Sequence, residues 1–245
     1  MRATTAVLML SLSACTAPPA EVAQRLAEAL QAGDPAAVLV HVDPDYADPQ
    51  GARDQLQRDL EAMQRDFERR TVRFEDLSMA SGASAREATL TGRLNAELVG
   101  QTTWKVVGPV QLDMFKEDAF RVRSGLLPHL RNIRALMSRR VAALEANDAR
   151  ALEPLLHPNY RDGDRTADEV IQRLSQDLSG IKIRIQVSNY RLEVRGPIAH
   201  LDEHYRLTVG DRTLPPQIGR FTLERSAGLW LIRAGLSSGT GGESP

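Results

Sequence analysis

An α+β fold built from two tandem units is what this sequence predicts, and three observations predict it. Each half of the chain runs from amphipathic helical stretches into alternating strand stretches, an order that packs helices on one face of an antiparallel sheet. Residues 25–54 align without a gap on residues 139–168, a shift of 114, with ten identities in thirty positions that include Pro44/Pro158, Tyr46/Tyr160 and Asp48/Asp162. Near the end of each half, at a shift of 110, Phe120-Arg121-Val122-Arg123-Ser124-Gly125-Leu126 matches Trp230-Leu231-Ile232-Arg233-Ala234-Gly235-Leu236. Chance similarity between helices yields a few alanine and leucine matches. It does not also repeat Pro-x-Tyr-x-Asp and a closing aromatic-x-x-Arg-x-Gly-Leu in the same order. The boundary between the units falls near Leu127-Pro128.

Each unit opens with a long helix. In the second, Ile133, Leu136, Met137, Val141 and Leu144 form one apolar stripe at spacings of three and four. Gly33 and Asn147 suit the two helix ends. Asp34 and Asp148 then cap a second, short helix, with Pro35 at its tolerated first position. Prolines 44 and 158 force the exit. A third helix is expected from about Gln50 and from about Thr166, where Thr166 and Glu169 make a capping box ahead of Val170, Ile171, Leu174 and Leu178. Strands follow. Residues 181–187 alternate Ile181, Ile183, Ile185 and Val187 against polar neighbours, and Leu201, Tyr205, Leu207 and Val209 face opposite to His200, Asp202, His204 and Arg206. Gly210-Asp211 and Ser226-Ala227-Gly228 supply hairpin turns. The sum is three helices and about four strands per unit.

That order, with the helix–Asp–helix–Pro-x-Tyr opening, resembles the nuclear transport factor 2-like superfamily once per copy, over nearly the whole chain after its leader. The resemblance implies two cones, each a curved sheet wrapped around its long helix, over residues 21–127 and 128–238. It implies pairing of the cones through the outer faces of their sheets, which would bury the face carrying residues 200–206; a flexible join at Leu127-Pro128 is the alternative. The superfamily holds isomerases, cyclases and dehydratases as well as non-catalytic binding modules, so fold alone names no function.

Composition excludes several classes. Hydrophobic residues at 42% and charged ones at 26% describe a globular chain. A net charge of −1 and 4% aromatics offer neither the field nor the stacking platforms of a nucleic-acid binder. Cys15 is the single cysteine, so no internal disulfide or multi-cysteine metal site can form. Its surroundings give it another use. Met1-Arg2, a short apolar run and small residues read as a secretory signal over residues 1–14. Leu12-Ser13-Ala14-Cys15 resembles the lipobox of bacterial lipoproteins, which implies diacylglycerol on the Cys15 sulfur and an envelope address. Thr16, in place of an aspartate, points to the outer membrane, facing the periplasm. Residues 15–20 read as a tether and residues 239–245 as a disordered tail.

The candidate sites are few. Tyr46 and Tyr160 recur at equivalent positions, as packing residues whose hydroxyls bond to backbone or as polar contacts to a ligand in each cone. Asp202 and His204 form the best local acid–base pair, on a strand face expected to point away from the core. His157, Asp162, Asp164 and Asp168 are read as turn and cap residues rather than a metal site, for no calcium-loop spacing follows. No cofactor motif is present. The expectation is a non-catalytic, membrane-anchored lipoprotein that binds a small apolar ligand or an envelope protein through its cones. The alternative is an isomerase or cyclase working through Asp202 and His204.

Overall fold

The computed structural model describes residues 17–236, so Leu12, Ser13, Ala14, Cys15 and the tail from 239 lie outside the described residues. Helix α1 (Pro19–Ala32) buries Val22, Ala23, Leu26 and Leu30, and it begins inside the stretch expected to be tether because Pro19 sits in its first turn. Asp34 accepts hydrogen bonds from the backbone N–H of Ala36 and Ala37 and starts α2 (Pro35–Val40). The third helix, α3 (Arg53–Asp66), starts three residues after Gln50. Asp48 caps the N–H of Gln50, and a small hairpin pairs Ala47–Asp48 with Gly51–Ala52 before the helix can begin.

Four strands complete the first half: β1 (Phe67–Ser81), β2 (Glu87–Gly100), β3 (Thr103–Lys116) and β4 (Phe120–Ser124). The second half repeats the order. Helix α4 (Pro128–Glu145) starts directly after Leu127, and Asp148 caps a 3₁₀ helix (Ala149–Leu155) where the first half has α2. Thr166 and Glu169 form the expected capping box at α5 (Ala167–Asp177). Then come β5 (Ile183–Arg195), β6 (Ile198–Val209), β7 (Gln217–Ser226) and β8 (Leu229–Ala234). Ile181 stays outside β5 because its N–H closes a turn onto the Leu178 carbonyl while Asn147 bonds its own carbonyl.

All eight long strands belong to one sheet, in the order β8-β7-β6-β5-β3-β2-β1, with β4 beside β3. Neighbours are antiparallel except at the middle, where residues 103–107 of β3 run parallel to residues 189–193 of β5. The halves are therefore joined edge to edge by main-chain pairing, and the outer face carrying residues 200–206 is left uncovered: His200 and Arg206 are exposed and Asp202 and His204 half-buried. Burying that face would strip water from its histidines, arginine and aspartate, whereas joining edges satisfies backbone groups that need partners in any case. The stretch of β3 that makes the join follows the Gln101-Thr102 turn. After the matching Gly210-Asp211 turn the chain reads Arg212-Thr213-Leu214-Pro215-Pro216, and only Arg212–Thr213 is strand, paired back onto β6. A single apolar core runs through both halves under the sheet.

Candidate functional site

The repeated motifs hold each unit closed. Tyr46 is 1% exposed, and its hydroxyl donates to Asp48 while accepting the N–H of Leu126, which follows Gly125 in the closing motif. Tyr160 repeats the arrangement with Asp162 at 3.4 Å and the N–H of Leu236 at 3.3 Å. Parallel bridges Val42–Val122 and Leu156–Ile232 stitch the same segments together. Burial, and in second place the partner carboxylate, push both phenols far above their ordinary range, so they remain neutral donors. In the first unit the tie extends across the unit boundary: Arg131 of α4 donates to Asp48 at 2.8 Å and Asp59 at 2.6 Å. Arg131 and Asp48 have almost no exposed side chain.

The second unit holds a group that sequence reasoning passed over. Arg140 lies on the buried side of α4, between Leu136 and Leu144, and Glu203 lies on the inward face of β6, between Leu201 and Tyr205. Arg140 Nη1 donates to both carboxylate oxygens of Glu203, at 3.1 and 2.8 Å, and its guanidinium stacks 4.5 Å from the Phe221 ring. Glu203 is fully buried. Tyr190, opposite Glu203 on β5, donates its hydroxyl to that carboxylate, and burial together with the carboxylate raises the phenol well above its usual range. The signal was available in the sequence, since a charged residue breaks the apolar stripe at 140 and another breaks the inward series at 203. The first unit carries Leu26 at the helix position matching Arg140, and its inward β2 residues around the matching stretch are Leu90, Gly92, Leu94 and Ala96. The ion pair belongs to the second unit alone.

Tyr190 connects this pair to a cleft. Its ring meets Trp104 of the first half, centroids 4.1 Å apart and tilted by 32°. Above the two rings opens a cleft of about 640 Å³ along the seam, walled by Val141 and Ala142 of α4 and by Ile185 and Val187 of β5. Its charged groups are mostly engaged: Arg134 donates to Asp66 at 2.6 Å and lies over Phe67, and Glu145 accepts the N–H of Ile185 at 2.7 Å. A cleft with an aromatic floor and a largely polar lining can hold an amphipathic small molecule.

The remaining candidates lie apart from that cleft. His204 faces outward, lining a groove on the opposite face of the sheet, and no hydrogen bond or ion pair joins its imidazole to Asp202. His157 is buried, accepts the N–H of Asn159 through Nδ1, and stands 3.9 Å from Glu224. Asp168 sits in the first turn of α5. Among the described residues no three His, Cys, Asp or Glu side chains converge as metal ligands would, and no helix is long and apolar enough to cross a membrane.

No family model matches the chain, and no curated protein does. Three solved structures that resemble it each do so over less than half its length. A nuclear transport factor 2-like protein from Cytophaga hutchinsonii is 20% identical over 42% of this chain and 91% of its own, with a TM-score of 0.36. A candidate dehydratase of the same family from Streptomyces avermitilis is 14% identical over 44% and 92%, TM-score 0.37. A cystatin-like protein of unknown function from Nostoc punctiforme is 12% identical over 42% and 85%, TM-score 0.38. Likenesses this low carry no argument about activity. The chain's own elements establish the class: an α+β protein with its helices packed against one large curved sheet.

Proposed function

We propose that this protein is a non-catalytic, lipid-anchored receptor of the bacterial envelope, made of two tandem nuclear transport factor 2-like units, that binds a small molecule with an apolar body in the seam cleft. One observation carries the reading. The cleft presents an aromatic floor of Trp104 and Tyr190, and most of the ionisable groups beneath and beside it are already paired or hydrogen-bonded: Glu203 by Arg140, Tyr190 by Glu203, Asp66 by Arg134, Glu145 by the Ile185 N–H. General-base catalysis needs a group free to take a proton, within reach of substrate. An isomerase working through Asp202 and His204 would have to place its substrate on the outer face of the sheet, away from the cleft.

Native mass spectrometry of protein extracted from the envelope tests the reading, with Trp104→Ala as the comparison. A co-purifying small molecule is expected on the native protein and not on the variant. An empty native protein that turns over an enolisable substrate, with turnover abolished in His204→Ala, would refute it. The anchor is tested separately: Cys15→Ser should leave an unprocessed or soluble precursor, and membrane fractionation like that of the native protein would exclude it.

A further inference from the structure

The outer face of the sheet carries a second concavity, of about 610 Å³, directly over the β3–β5 seam. Its floor is electrostatically unusual. The parallel register sets Lys105 opposite Arg191, two cations on neighbouring strands and on the same face. Like charges directly opposite one another destabilise a strand pair, and neutral residues would remove that cost. The neighbouring carboxylates relieve it only in part. Glu97 pairs with Lys105 at 3.2 Å, and Glu193 is taken by Arg195 at 2.7 Å. Asp202 is the β6 neighbour of Arg191 in register, yet no ion pair joins them. Arg93 and Arg191, both lining the groove, have no ion-pair or hydrogen-bond partner among the described residues. Beside them the Oδ1 of Asn189 is buried without a donor. His204 completes the wall.

We infer that this groove binds a small phosphate-bearing anion across the seam. A doubly charged oxyanion between Lys105 and Arg191 turns the like-charge repulsion into convergent attraction, through charge-assisted hydrogen bonds from an ammonium and a guanidinium fork, while Arg93, four residues along β2 from the partner of Lys105, adds its charge at the far end of the groove. The inference is independent of the seam cleft, which lies on the other face, and of the lipid anchor.

Isothermal titration calorimetry of the full chain in neutral detergent, with inorganic pyrophosphate as the probe, tests it. A saturable site is expected, weakened at least tenfold in Arg191→Gln and in Lys105→Gln and unchanged in Arg173→Gln, which removes an exposed cation of α5. These side chains are exposed, and unfolding midpoints taken alongside show that each variant folds; pyrophosphate should raise the midpoint of the native protein and of Arg173→Gln only. Absence of saturable binding overturns the proposal, as does an equal loss in all three variants, which would signal diffuse attraction. Binding to vesicles containing anionic phospholipid without any response to pyrophosphate overturns it too, and assigns the patch to a membrane surface.

Discussion

Replacing Arg140 with leucine should destabilise the protein severely, and replacing Glu203 as well should restore most of the loss. In the single variant Glu203 keeps its charge in a site with no exposed surface and loses both bonds from Nη1, retaining only the Tyr190 hydroxyl. Breaking one partner from a buried ion pair costs about 3–5 kcal/mol, because the remaining charge is desolvated without compensation. The double variant, Arg140→Leu with Glu203→Leu, places apolar side chains where the first unit already has Leu26 and its apolar β2 face. Replacement of a whole buried pair by packed apolar groups runs from neutral to about 1–4 kcal/mol stabilising. A double-mutant cycle by urea unfolding, followed by tryptophan fluorescence, measures the coupling directly. A single variant costing under about 1 kcal/mol, or a double variant as unstable as the sum of the singles, would show that the pair is solvated or that the site cannot close around leucine.

Other outcomes follow from the same contacts. Tyr46→Phe should cost about 1–3 kcal/mol in urea unfolding, since it orphans the buried Leu126 N–H, and more than Tyr160→Phe, whose bonds are longer. Gly125→Ala should destabilise more than either, because φ is +91° and a Cβ would stand 1.9 Å from the Gln111 carbonyl oxygen; a midpoint within error of the native one would discount that clash. Burial, assisted by Arg225, pulls His129 down to about 4, and its Nδ1 accepts from the Trp230 indole at 3.0 Å. The unfolded chain, at about 6.5, therefore takes up the proton first. His129's contribution is complete above pH 6.5 and is lost as pH falls towards 4, by up to about 3 kcal/mol over that gap. In His129→Gln the stability–pH slope across this window should flatten; an unchanged slope would assign it to other groups.

What was legible in the sequence was whatever is repeated or local. The capping box at Thr166 and the hairpin turn at Gly210-Asp211 are short-range patterns, and the two tyrosine anchors were marked by their repetition, although each bonds to a residue 76 or 80 positions away. The start of α3 was misplaced because an Asx turn at Asp48 competes with helix formation, an outcome decided by one side-chain bond. The site was harder to see. Glu203 has the parity of a core residue, and the even spacing of His200, Asp202 and His204 drew attention to the opposite face, which looks outward as expected, and away from Glu203. Trp104 and Tyr190 are 86 positions apart and meet only because β3 and β5 pair, a long-range join that no local pattern announces.

That join has a direction. The first strand of one unit lies against the opening stretch of the third strand of the other, so the contact is head to tail and, by itself, has no reason to stop at two. What we expect to stop it is in the second half of the chain. The equivalent tail in the second unit offers Pro215 and Pro216 where the first unit offers Val106 and Val107, and a proline has no N–H to give to an incoming strand. The sheet thus joins its two halves head to tail, and the prolines are expected to block a further addition at the free end. Exchanging Leu214-Pro215-Pro216 for Lys-Val-Val should unblock it: light scattering should then report particles that enlarge with protein concentration, each molecule's β1 taken up by the tail of the next. If the exchanged protein stays monomeric, something other than the prolines guards the edge.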